Sequence, residues 1–297
     1  MIKYAYSCLV AISLTMGQLP YGLAQGFKGE PIPTAILAAM KQGGTLRDNS
    51  PVTPERLRLL AVQHIDFEGH IKTGQIIVLD VCDEAVLSIF QALHERKFPI
   101  HKIQPMYHYQ GSDHGAVSDN NTSCYVDRDV VGASGKKSLH AYGVAIDINP
   151  VQNPFILVDE NTGTATYEPQ AGIQYANRHG NRLGKEPRIG MAEEVVDLFA
   201  AHGFYWWGGY WDKPIDYQHF QLSKSLTELY LAMEPAKAKA TFQKVTQYFN
   251  QYQRPIEQAL MQALQSERHS NWSLADYYQK DRKLFDRVFQ KLTQGIN

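Results

Sequence analysis

The stretch Ser138-Leu139-His140-Ala141-Tyr142-Gly143-Val144-Ala145-Ile146-Asp147 constrains this chain more than any other. A histidine and an aspartate seven residues apart flank a Tyr142-Gly143 turn, and Val144 to Ile148 then reads as a short buried strand. Further on, Asp216-Tyr217-Gln218-His219-Phe220-Gln221-Leu222 brings a second histidine on a second strand. Two imidazoles and a carboxylate, with a fourth position left open, make up the protein ligands of a catalytic zinc ion. His140, Asp147 and His219 are therefore the expected metal ligands. A base must also take a proton from the attacking water. Asp216, three residues before His219, is expected in that role, with Asp212 in reserve.

The pattern Ser-x-His-x-x-Gly-x-Ala-x-Asp is followed about seventy residues later by Trp206-Trp207-Gly208-Gly209 and then by Asp-x-x-His-Phe-Gln. Taken together these motifs resemble the D-alanyl-D-alanine carboxypeptidase (VanY-like) family of zinc peptidases, which groups with the lysostaphin and hedgehog folds. Asn120-Asn121-Thr122-Ser123, Arg128 and Asn149-Pro150-Val151-Gln152-Asn153-Pro154 extend the likeness from Gln75 to Leu222. The resemblance implies an α+β domain whose small, mostly antiparallel sheet carries the zinc site, with helices packed against it. It also implies that Arg128 holds a substrate carboxylate or a developing oxyanion, for which the forked guanidinium donors are suited. Ser123 and Ser138 are expected to contact substrate, with a turn-forming role as the alternative for Ser138. Relatives of the vancomycin-resistance type often carry Glu where Asp216 stands, whereas the wall-endopeptidase subgroup often carries Asp.

The activity implied is hydrolysis of an amide bond in peptidoglycan stem peptides, first as a D,D-carboxypeptidase. An L-alanyl-D-glutamate endopeptidase is the alternative within enzymes. A non-catalytic, hedgehog-like zinc-holding binding module is the alternative outside them.

The N-terminus bears on where such chemistry would take place. Met1-Ile2-Lys3, the apolar run Cys8 to Leu14 and the Gly22-Leu23-Ala24 site read as a secretory signal peptide over residues 1–24. The protein is then expected to be exported, periplasmic or secreted, with no membrane span once that segment is removed. Cys82 and Cys124 remain as a pair, either bridged or as two buried thiols. A net charge of −1 argues against a nucleic-acid partner.

Along the rest of the chain, residues 25–74 read as a segment that wraps the domain, with a helix at Thr34 to Gln42. Thr53-Pro54 places a capping residue and an N1 proline ahead of Glu55 to Ala61, which predicts a helix there. Gln75 to Leu79 reads as a strand, and Val86, Ile89, Phe90 and Leu93 mark one face of a helix from Asp83 to Lys97. Ile100 to Met106 reads as a further strand, Tyr107 to Gly135 as a long substrate-facing loop, and 155–188 as a rim insertion. Tyr217 to Leu222 reads as one strand with Tyr217, His219 and Gln221 on one face. Trp206, Trp207 and Trp211 read as core and cleft wall, with a carbohydrate platform as the alternative. Residues 75–222 are thus the expected peptidase domain. Residues 223–297 form a helical extension, with eleven Lys and Arg against seven Asp and Glu and a Ser273/Asp276 capping pair.

Overall fold

In the computed structural model, which describes residues 26–130 and 133–296, the chain opens with strand β1 (Lys28–Pro31) and helix α1 (Thr34–Gln42). The expected signal peptide and Cys8 lie outside the described residues. The helix expected after Thr53-Pro54 does not form. Those residues begin only a single 3-10 turn, Pro54–Arg56, and the chain continues as strand β2 (Leu57–Ile65). β2 is paired antiparallel on both sides, by β1 and by β3 (Ile71–Leu79), with Leu57 opposite Leu79 and Ile65 opposite Ile71. Pairing on both edges satisfies the backbone and buries Leu57, Leu59, Leu60 and Val62, which outweighs a local helix-start signal.

Helix α2 (Asp83–Glu95) packs on this sheet through the expected face, with Val86, Ile89, Phe90 and Leu93 all buried. The next strand is shorter than expected: β4 is Lys102–Ile103, paired in parallel with β5 (Asn121–Thr122). Helix α3 (Asp113–Ser118) lies between them, and the Ser112 hydroxyl accepts the Gly115 N–H at 3.0 Å. β6 (Asp129–Val130) and β7 (Ala133–Lys137) form a hairpin, so the long loop expected over 107–135 is a series of very short elements.

β8 (Ala145–Asp147) follows the Tyr142-Gly143 turn. Within the expected rim insertion, β9 (Phe155–Val158) and β10 (Ala165–Glu168) pair as a hairpin, and β12 (Ile215–Asp216) adds to the free edge of β9. Helix α4 (Val196–Ala201) leads to β11 (Trp206–Trp207), and β13 (His219–Gln221) lies between β11 and β8 in an antiparallel sheet of order β11-β13-β8. The expected strand from Tyr217 therefore starts two residues late, because Asp216 and His219 belong to different sheets. The segment after β5 joins the two main sheets: the Tyr125 N–H donates to the Ile77 carbonyl, and Ser123 and Asp147 exchange both backbone bonds. This is the expected α+β architecture, a small antiparallel sheet at the site with helices around it.

Beyond β13 the chain is helical: α5 (Lys224–Leu231), α6 (Pro235–Tyr252), α7 (Glu257–Glu267), α8 (Leu274–Lys280) and α9 (Arg282–Leu292). Ser273 and Asp276 form the expected reciprocal capping box at the start of α8. These helices share one continuous core with the sheets, running from Phe27 to Phe289. Gly203, at φ +95°, lets the chain pass Phe242 of α6, whose ring would lie 2.8 Å from a side-chain Cβ there. No helix among the described residues is long and apolar enough to cross a membrane.

Candidate metal centre

His140 sits in a one-turn 3-10 helix, Leu139–Tyr142, and the Ser138 hydroxyl accepts the His140 N–H at 3.3 Å. Gly143 closes the turn at φ +68°, and its carbonyl accepts the Leu79 N–H at 2.9 Å. A Cβ at this position would be 2.8 Å from that same backbone nitrogen. Only glycine therefore lets the turn dock on β3, and the docked turn aims His140 at β8. In the register of the small sheet Asp147 is directly opposite His219, so both side chains leave the same face.

The three expected ligands converge and are buried. His140 Nε2 is 3.2 Å from Asp147 Oδ2, and His219 Nδ1 is 3.0 Å from Asp147 Oδ1. The two ring nitrogens face each other at 3.3 Å. Each imidazole is anchored at its other nitrogen. His140 Nδ1–H donates to the Cys124 carbonyl at 2.7 Å, and His219 Nε2–H donates to Gln221 Oε1 at 2.8 Å. Both acceptors are oxygens, so in the neutral rings the proton is drawn outward and the two inner nitrogens turn lone pairs toward one point beside a carboxylate. Such a donor set fits a divalent metal with nitrogen and oxygen preference.

Charge is balanced at this point even without a cation. Burial pushes the Asp147 carboxyl up, but the two imidazoles outweigh it and hold the group well below the usual carboxylate range. Burial lowers the His219 imidazole, yet the bond to Asp147 and its negative charge override this and hold it up, at about 9. A proton held between them is what an incoming metal replaces.

Asp216 ends β12, half-buried, with Oδ1 shielded from solvent and without a hydrogen-bond partner. Burial raises its carboxyl to about 7; the positive charge of His219 opposes this, and Asp147 and Asp113 add to the rise. Gly208 makes room for it, since a Cβ there would lie 2.5 Å from the Asp216 carbonyl oxygen. The reserve residue Asp212 is exposed. Trp211 forms a wall of the site, its ring centroid 5.4 Å from that of His219, while Trp207 stacks on Phe220 in the core.

Arg128 lies immediately before β6, with Nη2 3.3 Å from Asp113 Oδ1 and Nε shielded without a partner. Ser123 meets Asp147 through its backbone. Cys82 and Cys124 are both buried and unbridged, and burial raises both thiols.

Four contributors escaped sequence reasoning: Gln221, the Cys124 carbonyl, Asp113 and Arg178. The last is clamped by Glu193 at 2.7 and 2.6 Å and lies 4.2 Å over the Tyr217 ring, which fixes the link between β12 and β13. Gln221 alone left a trace, because period two puts it on the face of His219.

Residues 132–222 match the family model described as D-alanyl-D-alanine carboxypeptidase. That stretch holds His140, Asp147, Asp216 and His219, and it spans less than a third of the chain. Arg128 and Ser123 precede it. No curated protein and no solved structure matches the chain.

Proposed function

We propose that the protein is a zinc-dependent peptidase that hydrolyses an amide bond of peptidoglycan stem peptides, acting first as a D,D-carboxypeptidase. The observation that carries this reading is the convergence of two outward-anchored imidazoles and Asp147, with a shielded, unpartnered carboxyl oxygen of Asp216 on the preceding strand. The family match over the same residues supports it. His140 Nε2, Asp147 and His219 Nδ1 would hold the ion. Bound there, zinc supplies Lewis acidity for the scissile carbonyl and for water. Asp216 accepts the proton from the attacking water and returns it to the leaving amine, a task for which a carboxyl raised to about 7 is suited near neutral pH. Arg128 exchanges its contact with Asp113 for a substrate carboxylate or the developing oxyanion. Ser123 supports Asp147 through their paired backbones, while the Ser138 hydroxyl contributes by holding the His140 turn.

The test is incubation of the purified protein with muropeptides, with and without a chelator, and mass analysis of the products. Chelator-sensitive loss of a terminal D-alanine is expected. Cleavage between L-alanine and D-glutamate would replace the carboxypeptidase by an endopeptidase. No product despite one bound equivalent of zinc would overturn the enzyme reading in favour of a binding module.

A further inference from the structure

The register of the small sheet sorts its side chains onto two faces. Ile146, Phe220 and Trp207 occupy the core face. The other face carries Asp147, His219, Gln221 and, directly across from Gln221, Trp206. Trp206 is 42% exposed, whereas its neighbour Trp207 is 6% exposed. An indole kept in solvent on the face of the metal centre takes no part in the proton transfers above and adds little to the core.

Beside it opens a cleft of about 540 Å³, lined by Trp206, Gln221, Ser223, Lys224, Ser225 and Glu228. It is shallow and open to solvent, as a site that stacks one face of a ring would be. Apart from the indole, every lining side chain is a hydrogen-bonding group. The Ser223 and Ser225 hydroxyls are 3.1 Å apart, and Lys224 and Glu228 are 3.9 Å apart with both side chains more than two-fifths exposed. One flat aromatic face ringed by hydroxyl, amide, ammonium and carboxylate suits a pyranose. The C–H groups of a sugar face are polarised by their oxygens and meet the negative face of the indole, while equatorial hydroxyl and acetamido groups reach the polar rim.

We propose that this cleft is a subsite for an amino-sugar ring of the glycan that carries the scissile peptide. The proposal rests on the peptidase reading above for its choice of glycan. Gln221 belongs to both places, since its Oε1 accepts the His219 proton at 2.8 Å and its side chain also lines the cleft. A ring seated on Trp206 is thus one side chain away from the metal centre. The protein then prefers glycan-linked stem peptides to free ones.

Two measurements test this. In the first, metal-free protein is titrated with the β-1,4-linked N-acetylglucosamine disaccharide by isothermal calorimetry, which requires no turnover. Saturable binding is expected, weakened at least about fivefold in Trp206→Ala and in Ser225→Arg, the second variant placing a long side chain in the lining of the cleft. In the second, kcat/KM is compared for a disaccharide-linked stem peptide and the same peptide without sugar. The linked substrate is expected to be favoured at least about fivefold, with the ratio falling toward one in both variants. A wild-type ratio of one, or a ratio that both variants leave intact, overturns the proposal. Absence of disaccharide binding to the wild-type protein does the same. Hydrolysis of neither substrate would defeat the peptidase reading alone, and the titration would still decide whether the cleft takes a sugar.

Discussion

Replacing Gln221 by leucine isolates the contribution of the hydrogen bond behind the proposed metal ligand His219. Neutral His219 has one ring proton to distribute. In the neutral ring that a metal requires, Nε2 keeps it, because Gln221 Oε1 accepts it at 2.8 Å, and Nδ1 is free to present a lone pair beside His140 Nε2. Leucine removes that acceptor without changing the strand, and Asp147 Oδ1, 3.0 Å from Nδ1, then draws the proton inward where the metal must sit. Loss of such an outer partner costs about 10–100-fold in metal affinity. This corresponds to about 1.4–2.7 kcal/mol. Competition with a chromophoric chelator at fixed pH reads the zinc Kd directly. Thermal unfolding gives an independent measure, since a tenfold weaker Kd removes about 1.4 kcal/mol of the stabilisation that saturating zinc confers. Gln221→Glu keeps an acceptor and is expected to retain wild-type affinity or exceed it. A Gln221→Leu Kd within twofold of the wild type would refute the reasoning, as would a glutamate variant that binds zinc more weakly than the leucine one.

Asp216→Asn is expected to lower kcat by about 10²–10⁴-fold while zinc binding stays close to wild type, checked by product formation and chelator competition. Because the raised Asp216 carboxyl is a base only when ionised, wild-type kcat/KM is expected to fall as pH drops through about 7, and a pH profile that keeps this limb in other active-site variants would reassign the base. Gly143→Ala forces a side chain into a left-handed turn, costing about 1–2 kcal/mol, and also presses on the Leu79 backbone at 2.8 Å. A lower Tm together with weaker zinc binding is the expected result, and an unchanged Tm counts against the docked turn. His64 is buried with neither ring nitrogen partnered, and burial lowers it to about 4, aided by Lys72, His101 and His94 and opposed by Asp66. The unfolded chain binds that proton more readily, so this contribution to stability is complete above about pH 6.5 and lost as pH falls toward 4, by up to about 3 kcal/mol. Urea unfolding of His64→Leu is expected to be flatter over that window, and an equal pH dependence would remove His64 as the source.

The convergence of His140, Asp147 and His219 was legible in the sequence because it is carried by residue type: two histidines and an aspartate, one turn and two short strands. The helix at Asp83 was legible because three- and four-residue spacing directly records which face is buried, and the one at Thr34 because its run is Ala-rich. Leu57–Ile65 was misread because a real local signal, Thr53 before Pro54, ends after one turn, and long-range pairing with β1 and β3 takes over. Between Tyr107 and Gly135 the elements are two to six residues long, too short for any period to register. The supports of the site were hidden in another way. The Cys124 carbonyl that fixes His140 is backbone, which no side-chain pattern marks, and Gln221 matters through an atom of His219 that no ligand motif mentions. Arg128 makes the same point about charge. Its sequence neighbours Asp127 and Asp129 suggest a local cluster, yet Asp127 turns inward to Lys137 and Ser50, and the guanidinium meets Asp113, fifteen residues earlier in the chain. Asp113 also helps hold the Asp216 carboxyl up, so substrate that draws Arg128 from Asp113 changes the field at the base. On the proposed roles of Arg128 and Asp216, substrate capture and base strength would meet at Asp113, a residue that no motif names.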